Sequence, residues 1–162
     1  MPKIRTFLTY NDQAEDAARF YTSIFPNSKI NHVTKTPEGG PSPAGSVLVV
    51  EFTLEGEKYI ALNGGPQFAK FTEAFSLSVD CKNQEEIDRY YDALLAGGKE
   101  VMCGWLVDKF GVSWQVGSHR ITELISDKDP ERAKRAFQAM MTMKKMIIAD
   151  VERAAEGAPA GR

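Results

Sequence analysis

Histidine and cysteine are scarce in this chain of 162 residues, with two of each. No CxxC spacing and no Cys/His cluster occurs, which argues against a structural zinc module. Long apolar runs are missing too. The opening MPKIRTFLTY has no apolar core of the kind a signal peptide needs, and nothing approaches the length of a membrane span. An excess of one charge sign is also missing. Lys plus Arg number 20 against 22 Asp plus Glu, a formal net charge of -2. With no Lys/Arg block, the chain offers no general attraction to nucleic acid or to an anionic membrane. These absences lead us to expect a cytoplasmic protein with reduced thiols. Cys81 and Cys103 fall in different predicted strands, and their spacing alone leaves a disulfide open.

What is present is enough apolar material for a core, 43% of residues, and an internal repeat. FLTYNDQAEDAARFYTSIF (Phe7 to Phe25) and LSVDCKNQEEIDRYYDALL (Leu77 to Leu95) both begin as an alternating strand. Both then pass a polar turn and enter an amphipathic helix. Ala17, Phe20, Tyr21 and Ile24 share one helical face, and Ile87, Tyr90, Tyr91 and Leu94 repeat it. Strand signals follow each helix: Ile30 to Thr36, Ser46 to Leu54 and Lys58 to Asn63 in the first half. Lys99 to Val107 and Ser113 to Gly117 supply them in the second. Glu55-Gly56-Glu57 and Asp108 to Gly111 read as turns. Each half is therefore strand, helix, three strands. A half this small cannot cover both faces of its sheet, so the halves are expected to pair.

The stretch CGWLVDKFGVSWQV, Cys103 to Val116, holds both tryptophans and reads as a hairpin in which Gly104 and Gly111 permit bends. Beyond it, Asp129 is a good N-cap, Pro130 suits the first helical position and Glu131 the positive helix end. The pattern predicts one helix from about Pro130 to Ala155. Its stripe of Ala133, Phe137, Met140, Met141, Ile147, Ile148 and Val151 packs on the domain or across a dimer. A methionine surface adaptable to ligands is the competing reading. The tail GAPAGR is expected to fray.

Several motifs carry a resemblance. Phe20-Tyr21, Phe25-Pro26-Asn27-Ser28, Ala44-Gly45-Ser46 and Leu54-Glu55-Gly56 belong to it, as does Ala61-Leu62-Asn63-Gly64-Gly65-Pro66. So do Cys103-Gly104-Trp105-Leu106, Asp108-Lys109-Phe110-Gly111 and Ser113-Trp114-Gln115. Together they make the chain similar to the vicinal oxygen chelate superfamily, which has the glyoxalase/bleomycin-resistance/dioxygenase fold. Within it the chain most resembles the PhnB-like branch, which carries the label 3-demethylubiquinone-9 3-methyltransferase domain. The resemblance covers about residues 2 to 150. It implies an α+β fold of two paired βαβββ modules, 1–65 and 66–118, forming a curved mixed sheet around a cleft. A C-terminal helical extension, 119–162, follows. The resemblance also implies a homodimer. It leaves the reaction open, because function lives in the site.

Metal-dependent members resembling this chain place His, Glu or Gln on the first and last strands of each module. Here period-2 alternation puts Arg5, Ala61, Ala74 and Gln115 at those places, with Phe75, Leu77 and Val79 toward the second helix. A single neutral amide and a repelling guanidinium make a poor site, so we expect no metal and no cofactor. His32 and His119 sit in neither set.

The remaining cleft residues are Arg5, Phe7, Thr9, Asn63, Ser76, Ser78, Cys103, Trp105 and Gln115, all read as ligand-binding, and Glu51. Glu51 alternates toward the cleft among apolar neighbours. It is either a general base of raised pKa or the ion-pair partner of Arg5. Cys103 is a nucleophile only beside an activating group, and otherwise a small buried residue. A methyl-donor nucleotide fold would want a parallel sheet and a Gly-rich strand-to-helix turn. Gly39-Gly40, Gly64-Gly65 and Gly97-Gly98 do not provide one. The expectation is a protein that binds a small apolar or aromatic molecule without metal. The alternative is a metal-independent isomerase or lyase using Glu51.

Overall fold

Leu8 and Tyr10 are buried while Phe7 between them is exposed, the period of two that makes a half-covered strand. The computed structural model describes residues 4–158. In it the chain separates into two units, Met1–Lys70 and Phe71–Arg162.

The first unit runs β1 (Thr6–Tyr10), α1 (Ala14–Ile24), β2 (Lys29–Lys35), β3 (Val47–Leu54) and β4 (Glu57–Asn63). Its sheet order is β1-β4-β3-β2, with β1 parallel to β4 and the other pairs antiparallel. Helix α1 packs on one face, burying Ala14, Ala17, Ala18 and Tyr21 against Val50 and Phe52. Glu55 and Gly56 both take positive φ, 46° and 88°, as the two-residue turn between β3 and β4 requires.

The second unit repeats the pattern with β5 (Ser76–Asp80), α2 (Gln84–Leu95), β6 (Lys99–Glu100), β7 (Trp105–Val107) and β8 (Ser113–Gly117). Its order is β5-β8-β7-β6, again with one parallel pair, β5 with β8. Ile87, Tyr90, Tyr91 and Leu94 are the buried face of α2, as their spacing predicts. Asn83 caps α2 by accepting from Glu86 N, while Glu86 Oε2 accepts from Lys82 N. This reciprocal box fixes where the helix starts. Asp108 anchors the hairpin. Its carboxylate accepts from Phe110 N, Val112 N and Trp114 Nε1, at 2.8, 3.0 and 2.8 Å. The α+β architecture of two βαβββ modules followed by a helical C-terminal extension is thus the one expected from the resemblance.

Three expectations need correction. Ala61 pairs with Leu8 and Val50 and is fully buried, so it faces the helix and not the open face. Ala74 and Phe75 precede β5 in a turn, and Phe75 is exposed instead of lying under α2. His32 is exposed and stands opposite Glu51, next to a bulge between Ile30 and His32. The C-terminus is three helices, not one: α3 (His119–Ile125), α4 (Pro130–Met141) and α5 (Ile148–Ala155). In consequence Ala136 is the buried residue of α4, and Phe137 and Met141 are exposed. The tail from residue 159 lies outside the described residues.

The long helix breaks at residues 142–147 because other elements claim its backbone. Met143 O accepts from Cys103 N and Lys144 O from Gly104 N, each at 2.7 Å. Gln84 Nε2 donates to Met146 O while its Oε1 accepts from Ile148 N, both at 2.9 Å. These bonds turn the carbonyls toward donors off the helix axis, and the helical ladder is interrupted there. Gly104 makes the approach possible. Its φ is +77° and a Cβ there would lie 2.4 Å from the Val116 carbonyl oxygen.

Two stability predictions follow from the packing. Gly104→Ala combines left-handed strain with a backbone clash, and should lower unfolding stability in urea by about 3 kcal/mol. An equal midpoint would show that the approach is looser than described. The Tyr91 hydroxyl is buried without a hydrogen-bond partner. Tyr91→Phe should therefore leave stability unchanged or raise it by about 1 kcal/mol, and a clear loss would reveal a missed partner.

Candidate functional site

The open face of the first unit holds a row running Phe7, Ile60, Glu51, His32 across four paired strands. Thr9 lies beside Leu62 in the next row. Glu51 Oε2 is 3.5 Å from an Arg5 guanidinium nitrogen, and both side chains are 43% exposed. The carboxylate thus has a cationic neighbour and water, in place of the apolar surroundings expected of it. Asn63 is committed elsewhere. Its Oδ1 accepts from Ala14 N (2.8 Å) and its Nδ2 donates to Val47 O (3.0 Å). Gln13 gives α1 no side-chain cap, so Asn63 does that work from the end of β4.

The second unit brings other expected residues together. On its sheet face, Gln115 Nε2 donates to the Ser76 hydroxyl at 2.8 Å. Gln115, Ser78, Cys103 and Trp105 all line one cavity of 480 Å³. The sheet makes one wall. Helix α3 supplies another through His119, Ile121, Thr122 and Ile125, and Met140 of α4 and Met146 of the α4–α5 connection complete it. Asp80 lies at the rim, where its Oδ1 accepts from His119 N at 2.5 Å. The walls mix aliphatic, aromatic and thioether groups with a few hydroxyls and one amide.

This arrangement answers the sequence expectations unevenly. Ser76, Ser78, Cys103, Trp105 and Gln115 lie together. Arg5, Phe7, Thr9 and Glu51 share a face of the other unit, and Asn63 is a structural clamp. The helical wall went unread. HRITELI is only seven residues long, and its one signal is Ser118 before it, whose hydroxyl accepts from Arg120 N. Among the described residues, no group of three or more His, Cys, Asp or Glu is placed to hold a metal ion.

Both thiols are free, but their settings differ. Cys81 is buried, and that burial pushes its thiol up to about 11; Glu86 and Asp80 add to the rise and Arg89 opposes it. Cys103 is partly exposed on the cavity wall. At pH 8, iodoacetamide should modify Cys103 in the native protein and spare Cys81 until urea is added. The raised value also sets a sign. The folded state holds the Cys81 proton more tightly than the unfolded chain, so stability should fall between about pH 9 and 11. Rapid native labelling of Cys81 at pH 8 would contradict both statements.

No match is found among curated proteins. The PhnB protein of Bacillus cereus is 38% identical, with a TM-score of 0.66, covering 72% of this chain and 99% of its own. At 16% identity, the fosfomycin resistance protein FosX of Listeria monocytogenes, solved with Mn(II) and sulfate, shares the fold. Its TM-score is 0.52, covering 72% of this chain and 91% of its own. A possible glyoxalase from Bacillus cereus is similar at 14% identity and a TM-score of 0.50, covering 72% and 97%. The family model described as 3-demethylubiquinone-9 3-methyltransferase matches residues 2–117, stopping short of the C-terminal helices. The chain therefore belongs to the 3-demethylubiquinone-9 3-methyltransferase (PhnB-like) family, and its fold is that of the glyoxalase-like structures.

Proposed function

We propose that this protein binds a small, largely apolar or aromatic molecule in the cavity of its second unit, without needing a metal to do so. The observation that carries the reading is convergence. Trp105, Gln115, Ser78 and Cys103 from the sheet meet Ile121, Thr122, Ile125, Met140 and Met146 from beyond it, around one space of 480 Å³. That volume is in the range of small-molecule sites, which are mostly apolar with a few placed polar groups. Trp105 offers an aromatic surface for stacking. Gln115 is held by Ser76 through its amide nitrogen, which leaves Oε1 to accept from a ligand donor.

Methyl transfer is not part of this reading, despite the family's description. Each sheet has one parallel pair, and Gly64-Gly65 lead from β4 into a loop instead of opening a helix. The Gly-rich turn from a parallel strand into a helix that a methyl-donor nucleoside fold would want is not formed at these glycines. Glu51 enters the reading as the partner of Arg5, and not as the base of an isomerase or lyase. A cytoplasmic homodimer fits the same proposal, its support being the apolar residues Phe137 and Met141 left exposed on α4.

The test is native mass spectrometry of protein isolated from its own host, with metal analysis of the same sample. We expect one organic molecule per chain and no stoichiometric metal. Trp105→Ala should weaken binding of that molecule by about tenfold or more. A stoichiometric divalent metal required for retention, or a ligand held equally well by Trp105→Ala and Gln115→Ala, would overturn the reading.

A further inference from the structure

The cavity of the second unit has a charge of one sign on its walls. Asp80 brings a carboxylate to the lining, and no Lys or Arg lines it in answer. Asp80 lies two residues after Ser78 and so shares its face of β5. Ser78 stands beside Gln115, and Gln115 beside Trp105. Ring, amide and carboxylate are therefore set along one sheet face. Trp105 is two strands from β5, and Asp80 is two residues beyond that row. Their backbones stand roughly 12 Å apart.

Part of Asp80 has a structural use. Its Oδ1 accepts from His119 N at 2.5 Å, at the start of α3. A neutral asparagine would give the same acceptor, and Ser118 already caps α3 by accepting from Arg120 N. The charge is therefore left to explain. The cations near Asp80 are paired with other carboxylates. Lys82 is 3.9 Å from Glu86, and Arg120 is 3.3 Å from Glu123 and 2.8 Å from Glu152. His119 Nε2 faces Glu123 Oε1 at 3.7 Å. Asp80, Glu86, Glu123 and Glu152 thus face Lys82 and Arg120, and negative charge is in excess whether His119 is neutral or protonated.

The neutral groups favour the same kind of guest. Gln115 gives its amide nitrogen to Ser76, so what it turns to a ligand is an acceptor. The Trp105 ring attracts a cation to its face. An anion entering here would meet a like charge and no guanidinium or ammonium to hold it.

We propose that the cavity selects a small organic cation, with an aromatic body against Trp105 and a protonated amine at the free oxygen of Asp80. This rests on the binding reading above and adds the chemical class of the ligand. No covalent bond is made or broken.

Three probes of similar length test it: 4-phenylbutylamine, 4-phenylbutanol and 4-phenylbutyrate, which are cationic, neutral and anionic at neutral pH. The full chain is titrated with each while NMR follows the Trp105 indole N–H and the Gln115 side-chain amide. The amine should bind about tenfold tighter than the alcohol, and the carboxylate more weakly than both. Asp80→Asn keeps an oxygen for His119 N and should cancel the lead, so that amine and alcohol bind alike. Added salt should shrink the lead as well, because Asp80 is exposed. If amine and alcohol bind the natural chain equally, if the carboxylate binds best, or if the lead survives in Asp80→Asn, the charge selection is overturned and the cavity reading stands. If none of the three moves the Trp105 resonance, the cavity takes no small aromatic molecule and both readings fall.

Discussion

No side chain fits at position 104, and the second unit is organised around that fact. The Gly104 Cα sits so near the Val116 carbonyl that an added methyl would be 2.4 Å from its oxygen. This closeness lets Gly104 O accept from Val116 N at 2.8 Å, while its own N–H reaches Lys144 O. One residue therefore ties β8 to the chain between α4 and α5. The neighbouring Cys103 N–H adds a second tie, to Met143 O. Backbone groups buried in this way are costly to leave unpaired, so the ties hold as a set or fail as one.

The consequence is a division between two modules that began alike. Both carry a helix on one sheet face. In the first unit the opposite face presents Phe7, Glu51 and His32, with Phe7 well exposed. In the second unit the corresponding face meets α3, α4 and the α4–α5 connection, and a cavity remains between. The family match ends at residue 117, where β8 ends. The helical wall is thus contributed by the segment outside the match. A family label attached to residues 2–117 speaks for the sheet wall and not for the rest of the cavity, and this is why fold and function must be argued separately here.

The sequence was legible where one physical rule acted alone. The 3.6 period in α2 named its four buried residues, and the Asp108–Gly111 turn followed from local hydrogen bonding by an aspartate. It misled where two rules met. Ala61 was assigned to the wrong face because YIAL is apolar on both sides, leaving period 2 without a contrast to read. The stripe from Ala133 to Val151 looked continuous because helical propensity is local. Its break at residues 142–147 is imposed by donors at Gln84, Cys103 and Gly104, far away in sequence. The candidate site was half legible for the same reason: strand residues were found by alternation, and the helical residues facing them by nothing in their own pattern.

The most direct test of this account is hydrogen exchange at two amides, followed residue by residue by NMR. If the Cys103 and Gly104 N–H groups are the ties that seat the C-terminal helices, they should exchange as slowly as the Trp114 and Val116 amides within β8, opening only with the unit as a whole. Exchange on the fast timescale of a solvent-facing turn, with β8 still protected, would contradict it. The helices would then be loosely attached, and the cavity they wall would not be a fixed feature of the protein.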